Sequence, residues 1–153
     1  MVLTPDWRVQ AALFSGPPKT AQRAEATVAL LQPGQAFRFE FMARATGTAM
    51  NMFQIIGPPW NGKGLGFGRS ASGRFYLHSD GWGLRVLDLG AADAKWHRWR
   101  FDVLYDNGGV ARIWMDGRVV GVYRADFVKG QTEARLRMGS YNNTGEPSLA
   151  QFM

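Results

Sequence analysis

Lys95-Trp96-His97-Arg98-Trp99-Arg100-Phe101-Asp102-Val103 alternates aromatic or apolar side chains with charged ones. A period of two is the spacing of a strand with one face buried and one in water. A second run, Ala111-Arg112-Ile113-Trp114-Met115-Asp116-Gly117-Arg118-Val119-Val120, follows a few residues later. Asp-Gly between two such segments specifies a two-residue hairpin, because both turn positions need a positive φ. That loop sets the pairing: Met115 with Arg118, Trp114 with Val119, Ile113 with Val120. One face of the hairpin then carries Ala111, Ile113, Val120 and Val122 as core. The other carries Arg112, Trp114, Val119, Gly121 and Tyr123, an arginine beside two aromatics of the kind that meets a sugar ring, or that two packed sheets bury. His97 falls on the side of Trp99, Phe101 and Val103 and is expected as a hydrogen-bonded histidine of the core.

The same reading extends outward in both directions. Gln35 to Ala43 sets Phe37, Phe39 and Phe41 against Arg38, Glu40 and Met42. Further strands are expected over Trp7–Phe14, Arg23–Leu31, Thr48–Ile56, Gly64–Arg69, Gly73–His78, Gly83–Leu89, Glu133–Tyr141 and Ser148–Phe152. Short strands at regular spacing, divided by Gly, Pro, Asn and Asp turns, predict a β-sandwich or barrel. Only Ala91–Lys95 and Arg124–Gly130 leave room for a helical turn. The chain carries no linker, repeat or low-complexity tract, so one domain is expected over residues 1–153.

Composition sets the limits. The 153 residues are 46% hydrophobic and 13% aromatic, enough for a substantial core. With no cysteine, disulfide scaffolds, thiolate-ligated metals and thiol catalysis are excluded. The apolar windows are too short to span a membrane as a helix. Met1 to Arg8 lacks the basic-then-apolar run of a signal peptide, so the chain is expected to act where it is made, to leave by a route such as lysis, or to have been trimmed. The net charge is +6, with eight Lys/Arg against three Asp/Glu in residues 1–76 and ten against nine in 77–153. Fourteen of the eighteen basic residues are arginine, the side chain that forks onto carboxylates and phosphates. An anionic partner fits this balance, as does a merely well-solvated basic surface. No basic cluster or recognition helix points to nucleic acid.

The two quoted runs together resemble the W-h-x-h-x-h-D…h-x-h-W-h-D-G-x-x-V stretch of concanavalin A-like lectin/glucanase sandwiches (h being hydrophobic). The resemblance implies an all-β jelly roll of two antiparallel sheets and says nothing of chemistry. Three shorter pieces resemble motifs of the jelly-roll lyases that cleave alginate and related polyuronates. Arg23-Ala24-Glu25 resembles R-S/T-E, Gln54-Ile55-Ile56 resembles Q-I/V-H, and Arg135-Leu136-Arg137-Met138-Gly139-Ser140-Tyr141-Asn142-Asn143 resembles Y-F-K-A-G-x-Y-x-Q. Carried over by position, the resemblance implies that Arg23 and Gln54 hold a uronate carboxylate, that Arg137 replaces the motif lysine and that Tyr141 is the acid/base. Arg135, Asn143 and Trp114 complete the candidate binding set. Alternation along the last motif puts Glu133, Arg135, Arg137 and Tyr141 on one face and Ala134, Leu136 and Met138 on the other.

The departures bear on catalysis. The motif histidine is Ile56, which can neither hold a carboxylate nor move a proton. Arg135 stands for a tyrosine. Of the two histidines, His97 is expected in the core and His78, just before Asp80-Gly81, at the surface; neither is placed to substitute. The glycine-rich run Gly62 to Gly68 lacks the context of a phosphate loop and is read as tight packing or a bulge at an edge strand. No metal site is expected. Calcium is often held in this fold class, and Asp80, Asp88, Asp106 and Asn107 offer oxygens, but no other cofactor is implied. Two functions remain. One is a non-catalytic module that binds anionic glycans or docks on a protein, with Trp60, Trp82, Trp114 and Tyr141 as stacking surfaces; by fold analogy this includes a virion or surface decoration protein. The other is a compact polyuronate lyase using Arg23, Gln54 and Tyr141.

Overall fold

The computed structural model describes residues 12–16, 22–47, 49–57, 64–79, 84–128, 130, 132–142 and 148–152, with the backbone alone at 12–16, 22–28, 49–51, 84, 140–142 and 148–152. Among these described residues there are twelve strands: β1 (Ala12–Gly16), β2 (Gln22–Leu31), β3 (Gln35–Thr46), β4 (Ala49–Ile56), β5 (Gly64–Arg69), β6 (Arg74–Ser79), β7 (Leu84–Ala91), β8 (His97–Tyr105), β9 (Gly109–Met115), β10 (Arg118–Ala125), β11 (Ala134–Asn142) and β12 (Ser148–Phe152). They form two six-stranded antiparallel sheets. Sheet A runs β1-β12-β3-β8-β9-β10 and sheet B runs β2-β11-β4-β5-β6-β7. The fold is the expected all-β jelly-roll sandwich. The two segments with room for a helical turn carry none among the described residues: β7 continues to Ala91, and β10 to Ala125.

The alternating aromatics of β3 and β8 supply one wall of the core. Phe39, Phe41, Trp99 and Phe101 of sheet A meet Phe53, Phe67 and Phe75 of sheet B. Ring centroids lie 5.4 Å apart for Phe39–Phe53, 4.9 Å for Phe53–Phe101, 4.5 Å for Phe67–Trp99 and 4.8 Å for Phe75–Trp99. Burying each such side chain stabilises the fold by roughly 1.5–3 kcal/mol. The faces turned away from this contact are therefore the outer faces of the two sheets.

The Asp116-Gly117 turn forms as the dipeptide dictates, with φ of 52° and 81°. Trp114 pairs with Val119 as expected, but Ile113 pairs with Gly121 rather than Val120, because a bulge lies between Val119 and Gly121. One extra residue reverses every side chain beyond it. Val122 is thus exposed (47%), whereas Tyr123 turns inward onto Phe127. Of the two readings of Arg112, Trp114 and Tyr123, the shared platform does not form, and Tyr123 packs against the core. Gly121 is the residue that fits inward, since a Cβ there would crowd Leu87 and Leu89.

His97 sits at the core's edge as a hydrogen-bonded histidine. Its Nδ1 lies 2.7 Å from Asp116 Oδ2 and its Nε2 2.8 Å from Asp93 Oδ1, and its ring packs edge-on against Phe75. Burial alone would lower its pKa, but the Asp116 and Asp93 carboxylates together outweigh that and raise it. In return the bond from His97 holds Asp93 down at about 2 and lowers Asp116.

Candidate functional site

On β11, Ala134 and Leu136 point into the core and Met138 packs against it, so Arg135 and Arg137 stand on the outer face of sheet B. Arg137 is directly opposite Gln54 of β4. Gln54 is opposite Gly66 of β5, Gly66 is opposite His78 of β6, and His78 is opposite Arg85 of β7. Side chains of directly paired residues project to the same face. Arg137, Gln54, His78 and Arg85 consequently form one polar row across five strands, interrupted only by a glycine.

That glycine organises the row. Gly64, Gly66 and Gly68 alternate with Leu65 and Phe67, which fill the core, so the outer face of β5 carries no side chain at all. The imidazole of His78 lies over Gly66, so close that a Cβ there would overlap the ring at Cε1 and Nε2. The ring thereby reaches across to within about one strand spacing, near 4.8 Å, of the Gln54 position. Gln54 Oε1 is buried and accepts no hydrogen bond among the described residues. Beside this row, Tyr76 packs against His78 at 5.8 Å between ring centroids and lies under the Arg85 guanidinium at 4.9 Å. Burial raises the Tyr76 phenol pKa, and Arg85 opposes the rise. Arg74 caps this end through Asp88 at 2.5 Å. The Arg74 bond, then the Gly90 amide, lower the Asp88 pKa.

One expectation is overturned here and another is narrowed to one of its two readings. His78 is buried (3%), not exposed, and its ring lies on the same face as Gln54. The turn at Asp80-Gly81 suggests the surface, but the strand runs on to Ser79 and folds the ring over a bare glycine. Of the two readings of the glycine run, tight packing holds at Gly64 and Gly66, whereas a bulge at an edge strand does not, since β5 lies between β4 and β6. The readable signal was the Gly-Leu-Gly-Phe-Gly alternation, which leaves an outer face that a neighbouring strand must fill.

The remaining candidates fall as follows. Tyr141 is directly opposite Arg23 on β2, and this pair shares the face of the Arg137–Gln54 pair. Four residues of strand separate the two pairs, about 13 Å. Glu25 opposes Gly139 between them, and Arg135 opposes Ile56. Backbone register therefore brings Arg23, Tyr141, Gln54, Arg135 and Arg137 to one face; the side chains of Arg23 and Tyr141, and all of Asn143, Trp60 and Trp82, lie outside the described residues. Trp114 is elsewhere: it stands on the outer face of sheet A, on the far side of the sandwich, with Arg100 stacked on its ring at 4.0 Å. The alternation that grouped it with the binding set cannot tell one sheet's outer face from the other's. The row is also more enclosed than an open groove: Gln54 is 2% exposed, Ile56 0% and Tyr76 4%, whereas Arg85 is exposed.

No known family pattern matches the sequence, and no curated protein resembles it in sequence. Solved structures do resemble it. Alginate lyase AlgAT5 from polysaccharide lyase family 7 superposes with a TM-score of 0.67 at 10% identity, over 93% of this chain and 74% of that one. The endo-β-1,4-glucuronan lyase of the fungus Trichoderma reesei gives 0.60 at 16% identity, over 92% and 77%. The binding domain of botulinum neurotoxin DC gives 0.54 at 10% identity, over 93% of this chain but 41% of that one. The chain thus has the jelly-roll fold of the alginate-lyase-like sandwiches. At these identities the likeness defines the fold alone.

Proposed function

We propose that the chain binds an anionic polysaccharide, of the polyuronate class, on the outer face of sheet B. The observation that carries this reading is the single row Arg137–Gln54–His78–Arg85 over a glycine floor. A guanidinium and a carboxamide side by side match the two oxygens of a carboxylate, since Arg forks onto one or both and the amide N–H donates to the other. Arg23 and Tyr141, further along the same face, extend the contact to a neighbouring sugar. The jelly-roll lyases with this fold act on alginate and glucuronan, which supports the same ligand class. In this reading the domain is a binding or assembly module.

The placement of His78 favours a second reading, β-elimination. A base would take the proton next to the carboxylate, the freed pair would form a C4=C5 double bond, and the C4–O bond to the next sugar would break. Arg137 and Gln54 would stabilise the carboxylate as charge builds on it. His78 would supply the nitrogen that Ile56 lacks, and Tyr141 would return a proton to the leaving oxygen. Incubation with alginate, glucuronan and pectate separates the two readings, because the unsaturated product absorbs in the ultraviolet. A rise in absorbance that Tyr141→Phe and His78→Asn each abolish establishes elimination. A flat trace with binding that Arg137→Ala weakens establishes the module. Full binding by Arg137→Ala and Gln54→Ala refutes both.

A further inference from the structure

The outer face of sheet A carries a second, separate set of arginines. Register lays them out in three rows: Glu40–Arg100–Trp114–Val119, Arg38–Asp102–Arg112–Val122 and Ala36–Leu104–Val110–Arg124. Arg38, Asp102 and Arg112 of the second row and all of the third, with Glu40, line a hollow of about 760 Å³. That volume lies within the range of sites that hold one or a few sugar-sized groups.

The carboxylates of this face are already taken. Asp102 accepts from Arg38 at 2.7 and 3.1 Å and from Arg100 at 3.2 and 2.7 Å, both through two nitrogens. Glu40 accepts from Arg98 at 2.7 Å. Arg112 and Arg124 are exposed and have no carboxylate partner among the described residues. They stand diagonally on adjacent strands at one wall of the hollow, over a floor of Ala36, Leu104 and Val110. The hollow itself is lined by three arginines, Arg38, Arg112 and Arg124, against two carboxylates, Glu40 and Asp102, which leaves it with a surplus of one positive charge.

We infer that this hollow is a second polyanion-binding site, taking a uronate residue with its carboxylate between Arg112 and Arg124. The apolar floor suits the C–H face of a pyranose ring, and the fixed Asp102 pairs hold the neighbouring guanidiniums in place rather than leaving them to compete for the ligand. A nucleic-acid backbone fits less well, because duplex binding neutralises many phosphates along a track of basic side chains, and here only two guanidiniums without a carboxylate partner among the described residues face the hollow. With sites on both outer faces, one domain would link two polymer strands. The site shares no residue with the row on sheet B and stands or falls without it.

The test is hydrogen exchange and titration of the full chain with an oligouronate tetramer at low salt. Arg112→Ala/Arg124→Ala is compared with the charge-matched control Lys95→Ala/Arg118→Ala and with Arg137→Ala. The expected result is protection of β9 and β10 in the wild type, lost with about a tenfold or larger fall in affinity in Arg112→Ala/Arg124→Ala, as removing charged hydrogen bonds implies. The control and Arg137→Ala keep that protection. No protection of β9 and β10, an equal loss in the control, or binding of duplex DNA in preference to the tetramer overturns the inference. Failure of Arg137→Ala to change anything would count against the sheet B reading alone.

Discussion

Gly66→Ala tests the central geometric claim, that His78 reaches over a bare strand. A methyl group at residue 66 would overlap Cε1 and Nε2 of the His78 ring, so the imidazole must leave its place. His78 is 3% exposed and packed on Tyr76, so it cannot move without disturbing its neighbours. Overpacking of this kind costs about 1–3 kcal/mol. For a domain of this length that is a fall in Tm of roughly 3–10 °C. A strand glycine free of such a neighbour would respond the other way, since alanine is preferred by about 0.5–1 kcal/mol. The decisive measurement is a double-mutant cycle by chemical denaturation, with Gly66→Ala made in the wild type and in His78→Ala. The clash is absent in the second background, so Gly66→Ala should there be neutral or stabilising, giving a coupling of about 1 kcal/mol or more. Equal costs in both backgrounds would refute the contact, and with it the assignment of His78 to the Gln54 row.

The folded pKa of His97 is raised from 6.5, so its contribution to stability is complete below that value and disappears as pH rises through the folded pKa. Asp93 acts in the opposite direction: its contribution is present above 3.8 and disappears as pH falls towards about 2. Thermal melts from mildly acidic to mildly alkaline pH should therefore show a decline in the wild type that His97→Gln flattens; parallel curves would contradict the clamp. Asp102→Asn removes the negative charge and one of the two acceptor oxygens shared by Arg38 and Arg100, and it should lower Tm by a few degrees at low salt and by less at high salt, as ion pairs near the surface do. The bulge at Val120 predicts that Val122→Thr changes stability by less than about 0.5 kcal/mol while Tyr123→Ala costs about 2 kcal/mol; the reverse order would restore the regular hairpin.

What the sequence disclosed was whatever depends on period and turn chemistry. Alternation along β3, β8 and β11 assigns inner and outer faces correctly, because a period of two is imposed by the strand itself. The Asp116-Gly117 turn is equally local, and it appears with the φ angles that its residues allow. Register fails where the local signature is slight: in Arg118-Val119-Val120-Gly121 a single strand glycine is the one hint of a bulge, and Leu87 and Leu89 on the opposite sheet leave room only for glycine beside Ile113. The site shows the same division. The motifs group Arg137 with Gln54, and the pairing of β11 with β4 puts them together, whereas strand alternation groups Trp114 with them although it belongs to the other sheet. The burial of His78 is not legible locally, because it is set by the bare glycine of the adjacent strand β5 and not by its own neighbours in sequence. The glycines of β5 were the available clue. A central strand that alternates glycine with Leu65 and Phe67 gives up three side chains on one face, at an entropic cost on folding. Such a cost is retained where something must lie against the bare backbone. Here the occupant is an imidazole aligned with a buried carboxamide and an arginine, which is why the loss of the motif histidine at Ile56 does not leave this face without a titratable nitrogen.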